Sequence, residues 1–234
     1  MKGFLSALNF LTIIRLGPAT FDGARATAAF AWVGLLIGAG LALLHWLTPA
    51  TISPLVMVLY LVVISGALHL DGLCDSADAL LSHRDREKKL AIMRDVHAGT
   101  MGVVAIVIVL GAKGVAFTHI STISVLVLIP ALSRFGMAVA MQCLPYARQE
   151  GLAKLFFAGE RSGLIISGVI LLALTFFALP IGLFIGILGA YLTFLALILW
   201  WYRRMIGGVT GDMLGALCEV CEAVLLLAAV VLGG

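Results

Sequence analysis

The chain has 234 residues, 62% of them hydrophobic and only 12% charged, with a mean hydropathy of +1.16. A water-soluble domain is nearer half apolar and a quarter charged, so these figures exclude one and read as an integral membrane protein. A formal charge of +3 is too small to mark a nucleic-acid partner, and four cysteines (Cys74, Cys143, Cys218, Cys221) make no extracellular disulfide framework.

In chain order, Met1–Pro18 carries Phe4, Leu5, Leu8, Leu11 and Ile13 on one side and Ser6, Asn9, Thr12 and Arg15 in a slanting polar stripe. That pattern predicts an amphipathic helix at the membrane interface rather than a cleaved signal, because Arg15 ends the apolar run. Thr27–Leu47 is long enough for the ~30 Å of hydrocarbon and makes the first span. Pro49 to Pro54 form a turn, and Thr51–His69 reads as the second span. Ser82 with Asp85 has the form of an N-cap pair, which predicts a wet helix from about His83 to Gly99. Met101–Phe117 and Ile120–Cys143 are the third and fourth spans, followed by a polar loop over Leu144–Ser162. Gly163–Leu179 and Ile181–Tyr202 are the fifth and sixth, joined at Pro180; Arg203–Gly211 is a loop and Asp212–Leu232 the seventh. Residues 1–234 thus read as a single all-α membrane domain: a polytopic bundle of about seven transmembrane helices plus the N-terminal amphipathic helix.

Charge tests that count. Thirteen of the 15 Lys and Arg fall in segments that seven spans place on one side, and the connections on the other side hold none. By the positive-inside rule the N-terminus is cytoplasmic and the C-terminus outside, in a multi-pass bacterial inner-membrane protein.

The cytoplasmic acidic motif, 69–102, carries the chemistry. Six of the twelve acidic residues lie between Asp71 and Asp95. On a helix, Asp71, Asp75 and Asp78 sit at roughly 0°, 40° and −20°, on one narrow face. Like charges at that spacing repel, so a cation is expected among them. Oxygen ligands with no Cys or His beside them favour Mg²⁺ or Ca²⁺. His69 and His97 flank the cluster as possible proton acceptors.

Charges inside spans are costly. Arg134 lies roughly 15 Å deep, and Glu219 and Glu222 roughly 10 and 15 Å. The matching depths allow two roles: an ion pair holding helices together, or the floor of a cytoplasm-open polar cavity. Lys113 lies towards the outer end and is expected to snorkel. Cys218 and Cys221 form a CxxC within an apolar helix and read as packed thiols. Gly99 and Gly102, and Gly207, Gly208 and Gly211, flank helix ends where exposed backbone N–H groups suit phosphate. A metal site, several Arg, glycine turns and a cytoplasmic mouth together suit phosphoryl transfer.

Five ordered motifs resemble the cobalamin synthase family, the adenosylcobinamide-GDP ribazoletransferases. His69–Asp78 resembles HxDGxxDxxDG, and Arg94–Gly102 is similar to KDSxxGTxG. Ser133-Arg134 looks like the family's intramembrane pair, and Leu144–Arg148 with Gly151-Leu152 looks like its PYAR…GL loop. Gly208–Asp212, Gly215-Ala216, Glu219 and Glu222 look like GxTGDxxGAxxExxE. Ala79 stands where the family has Gly, Leu70 where it often has Glu, and His97 where it often has Ser or Arg. The resemblance implies that the ribose hydroxyl of α-ribazole, or of its 5′-phosphate, attacks the phosphorus attached to cobinamide in adenosylcobinamide-GDP. GMP leaves, and adenosylcobalamin or its phosphate forms, with Mg²⁺ as cofactor. On this basis Asp71, Asp75, Asp78 and Asp95 are the expected catalytic carboxylates, the first three holding the metal. Arg94, Arg134, Arg148, Thr210, Asp212, Glu219 and Glu222 are the expected substrate contacts. The expected partners are these small molecules, the lipid bilayer and other membrane-bound enzymes of the pathway. A CDP-alcohol phosphotransferase is the alternative enzyme, but the Ala-Arg pair of its DGxxAR signature is absent after Asp71-Gly72. An ion-coupled transporter is the alternative from another class; it needs no three Asp on one helix face and usually carries a repeat.

Overall fold

The computed structural model describes residues 2–17, 22–157 and 159–233. Among them are ten α-helices: α1 Lys2–Leu11, α2 Gly23–Leu47, α3 Ser53–Ile64, α4 Leu68–Leu80, α5 Arg86–Ile92, α6 Thr100–His119, α7 Ile123–Cys143, α8 Arg161–Ala178, α9 Ile181–Ile206 and α10 Gly211–Val231. A 3-10 turn, Leu152–Phe156, interrupts the expected 144–162 loop. The sequence limits hold to within a few residues for most elements, with two differences at the polar end. The wet helix is shorter than expected, α5 ending at Ile92 and beginning at a cap formed by Asp85, whose Oδ1 accepts from Lys88 N at 2.9 Å. Helix α9 runs four residues past Tyr202, into the expected 203–211 loop.

Six helices are long and apolar enough to cross a membrane: α2, α6, α7, α8, α9 and α10. The expected single span Thr51–His69 is instead two helices, α3 and α4, bent by 87°. Gly66 and Ala67 both adopt left-handed backbone, each at φ 58°, which stops α3 and restarts the chain in a new direction. Ala67 carries a Cβ into that region, a conformation that persists only where surrounding packing enforces it. Helix α2 runs antiparallel to α7, Gly34 lying on Pro130 and Ala131 and Gly38 on Val127. The chain therefore leaves α2 at one end and enters α6 at the other, and the bent pair makes the return. At 12 residues α3 spans only ~18 Å, so α4 turns aside at the end where the polar loops gather.

Close packing fixes α4 there. Gly72 meets the backbone of Asp212, where an added Cβ would stand 2.6 Å from the carbonyl oxygen; Gly215 meets the backbone of His69. Gly102, at the start of α6, packs on Cys74. Helix α4 thus crosses the first turns of both α10 and α6. Helix α1 buries Gly3, Ala7, Leu8 and Leu11 against α2 and sets Phe10 on Phe156, with ring centroids 4.3 Å apart. Met1 and Pro18, the expected limits of that helix, lie outside the described residues.

Candidate active site

The site is built where α4 crosses α10. Two loops close over it, held as a pair: Ala147 N donates to Val209 O and Val209 N to Pro145 O, both at 2.9 Å. This clamp seats Gly208 against the Pro145 carbonyl, where a Cβ would collide. Arg86 ties α5 to the same place, its Nε donating to Ile206 O at 2.7 Å and its Nη2 to Ala147 O at 3.3 Å.

Under the clamp is a cavity of about 220 Å³ whose polar lining is His69, Asp71, Tyr146, Arg148 and Asp212. Arg148 Nη2 donates to Asp212 Oδ2 at 2.5 Å and to Met93 O at 3.2 Å. Its Nε is buried and has no partner. Thr210 caps α10, accepting from Met213 N at 3.2 Å, and its hydroxyl also reaches Asp212 Oδ2 at 3.4 Å. Asp75, one turn beyond Asp71, feels the charges of Asp71, Asp212 and Arg148. Asp71 and Asp212 thus line the cavity with one guanidinium, and the charge of Asp75 beside them leaves the site net negative. His69 is 1% exposed, lines the cavity, and has no hydrogen-bond partner at either ring nitrogen. Burial holds the Tyr146 phenol above its ordinary range, so it remains a donor at neutral pH.

The expected Asp71–Asp75–Asp78 stripe exists on α4 but divides by task. Asp78 Oδ2 accepts from Gly99 N at 2.7 Å and Oδ1 from Gly102 N at 2.9 Å. Both its oxygens thus serve the exposed N–H groups of the α6 N-terminus, a charge-assisted cap. Asp212, expected as a substrate contact, lines the cavity with Asp71. Among the described residues no three His, Cys, Asp or Glu side chains close a cage on one ion. The oxygen-only donors of Asp71, Asp75 and Asp212 nevertheless fit Mg²⁺, which binds through one or two carboxylates and keeps waters and substrate phosphates as its other ligands.

Other expected site residues lie elsewhere. Asp95 is exposed on the turn before α6, where Nδ1 of His97 at 2.7 Å, then the His97 N–H, hold it below the ordinary carboxylate range. Arg94 is exposed near Tyr146, at the rim. Arg134, Glu219 and Glu222 form a separate network in mid-bundle with Lys113. Lys113 does not snorkel: it is 1% exposed, with Nζ 2.7 Å from Glu219 Oε2 and 2.5 Å from Glu222 Oε2. Arg134 Nη1 pairs with Glu222 Oε1, and Ser133 Oγ lies 3.3 Å from the same oxygen. Two cations balance two carboxylates in a dry interior. Of the two roles open for Arg134, the geometry is that of the interhelical ion pair. The thiols of Cys218 and Cys221 are both free and buried beside it, Cys218 Sγ lying 3.6 Å from Ser133 Oγ. The role of Lys113 was hidden because its partners lie 106 and 109 residues away and only the packing register joins them.

The chain matches the family model described as cobalamin-5-phosphate synthase over residues 3–230. Curated relatives similar to it over most of their length are named adenosylcobinamide-GDP ribazoletransferase. One, from Geotalea daltonii, is 35% identical, covering 100% of this chain and 99% of its own. Another, from Roseiflexus sp., is 36% identical over 94% of this chain and 86% of its own, and one from Pseudomonas putida is 38% identical over 97% and 98%. No solved structure matches. With a match along nearly its whole length, this chain belongs to the cobalamin-5-phosphate synthase family.

Proposed function

We propose that this protein transfers the adenosylcobinamide phosphoryl group from adenosylcobinamide-GDP to the ribose hydroxyl of α-ribazole or its 5′-phosphate, releasing GMP. The observation that carries the reading is the cavity lined by Asp71, Asp212 and Arg148, with Asp75 close enough to feel their charges and with the Arg148 Nε buried without a partner. Asp212 and the Met93 carbonyl hold the guanidinium at Nη2, so its remaining donors, Nε among them, are oriented before substrate arrives. A phosphate oxygen satisfies that donor, and a planar fork holds such an oxygen better than a point charge does. His69 offers a further buried ring nitrogen to the ligand. Asp71, Asp75 and Asp212 would hold Mg²⁺, which would supply the positive charge that phosphoryl transfer needs on its equatorial oxygens. Gly72 and Gly215 let the α4 and α10 backbones approach closely enough for Asp71 and Asp212 to share one cavity.

In this reading the protein sits in the bacterial cytoplasmic membrane with the cavity facing the cytoplasm, where charged, soluble substrates are found. The support is the placement of 13 of 15 Lys and Arg at the cavity end. A reporter fused at the C-terminal end and active only in the cytoplasm would overturn this orientation. The same membrane brings it near other membrane-bound enzymes of the pathway. The test of function is direct: purified protein in lipid nanodiscs is given Mg²⁺, adenosylcobinamide-GDP and α-ribazole. GMP and the joined corrinoid should appear together; release of neither would refute the assignment.

A further inference from the structure

A second cavity, of about 580 Å³, opens beside the first. Its walls are the polar stripe of α1 and the following turn (Ser6, Asn9, Thr12, Arg15), the Ser65–Gly66 bend, and the outer side of the 3-10 turn at Leu155. Phe10, Leu68 and Leu152 line both cavities, so the two adjoin across these side chains. We infer that this second cavity seats the corrin macrocycle of the donor substrate, with the diphosphate passing between Phe10, Leu68 and Leu152 to Arg148.

The inference rests on the proposed reaction and adds where its largest group goes. Small-molecule sites typically enclose about 300–1,000 Å³. The Asp71–Asp212 cavity, at about 220 Å³, falls below that range and suits phosphates and an ion. The adjoining cavity falls within it. A corrin is a broad ring with an apolar body and a rim of primary amides, so its seat needs both kinds of wall. Phe10, Ile13, Leu68 and Leu155 supply the apolar one. The polar one has acceptor capacity to spare: Thr12 and Ser65 donate their hydroxyls to Leu8 O and Leu61 O at 2.7 and 2.9 Å; Thr12 Oγ1 also accepts from Ile14 N at 3.1 Å, which leaves it one lone pair, and the Ser65 oxygen can accept from amide N–H groups. Asn9 spends its carbonyl oxygens on Arg15 and on Leu16 N, leaving its NH₂ to donate. The other sizeable grooves offer no such pairing: that between α8 and α9 and that between α4, α6 and α9 are walled almost entirely by aliphatic and aromatic side chains. The bend supplies an independent observation. The left-handed Ala67 places Ser65 and Gly66 on the large cavity and Asp71 on the small one, so a single strained corner positions both halves of the site.

The test fills the cavity from opposite walls. Ile13 and Leu155 are 52% and 55% exposed, so Ile13→Trp and Leu155→Trp add bulk without entering the core; Leu155→Phe is the milder form. GMP release is measured against each substrate in turn, and cobinamide, which lacks the nucleotide, is measured by equilibrium dialysis in nanodiscs. Each Trp variant should raise KM for adenosylcobinamide-GDP and weaken cobinamide binding by about tenfold or more, with KM for α-ribazole unchanged. Asp71→Asn should lose turnover yet bind cobinamide as the parent does. Unchanged KM and unchanged cobinamide binding in the Trp variants, with GMP still released, would overturn the corrin seat alone. A rise in KM confined to α-ribazole would overturn it too, by giving the cavity to the other substrate. A parent protein that neither binds cobinamide nor releases GMP would bring down the proposed reaction itself.

Discussion

Two regions of this bundle gather carboxylates and cations, and they do so in opposite ways. At the polar end Asp71 and Asp75 lie near the Arg148–Asp212 pair, whose side chains keep 12% and 22% of their surface exposed. In mid-bundle Lys113 and Arg134 meet Glu219 and Glu222, all 5% exposed or less. The inner group is balanced and dry, two cations set against two carboxylates, with Arg134 Nε left without a partner. The outer group is unbalanced and wet, so it calls for a cation and leaves a donor of Arg148 unspent. Intramembrane charge alone would have nominated the inner group as the functional site; the balance of charge and the exposure nominate the outer one.

The largest effect should come from unbalancing the inner group. Lys113→Met leaves Glu219 and Glu222 facing a single Arg134. Loss of one partner from a buried ion group costs about 3–5 kcal/mol, read as a lower melting temperature in nanodiscs. Adding Glu219→Gln should recover part of the loss, and the folded fraction should keep the parent's KM values. Next comes the outer group: Asp71→Asn should melt no earlier than the parent, because it relieves repulsion, while turnover falls by on the order of 10²–10³. A variant that melts early and turns over normally when folded would move Asp71 to the structural side of the comparison. Arg148→Lys should lose about 1.5–3 kcal/mol of transition-state stabilisation, the worth of a hydrogen bond to a charged group, with little change in melting. The smallest effect is expected at Asp78. Asp78→Asn keeps one acceptor for the α6 N-terminus, so its cost should be about 0.5–2 kcal/mol of stability and its folded turnover should stay well above that of Asp71→Asn. Equal loss at the two positions would return Asp78 to the metal site.

Much of this was legible in the sequence. Span lengths, the charge asymmetry and the Asp71–Asp75–Asp78 stripe depend on local periodicity and appear where the pattern puts them. What was not legible depends on contacts between distant segments. The Ser65–Ala67 break lies in a run with no proline to announce it, and Gly66 alone does not distinguish a close helix contact from a left-handed corner. Asp78 looks like its neighbours until Gly99 and Gly102, more than twenty residues on, take its two oxygens. Asp85 is a nearer miss: its cap on Lys88 is made within three residues, but the sequence pattern started the helix near His83 with Ser82 and Asp85 as a pair. Lys113 depended on helix register across the bundle, which hydropathy does not encode.

The account's central claim is that phosphoryl transfer and its metal belong to the outer carboxylates. The most direct test is the Mg²⁺ dependence of GMP release for the parent, Asp75→Asn and Lys113→Met, each corrected for its folded fraction. Asp75→Asn should need a higher Mg²⁺ concentration for half-maximal rate, while Lys113→Met follows the parent curve. An Asp75→Asn curve lying on the parent's, with Lys113→Met displaced, would contradict the claim and place the metal in mid-bundle.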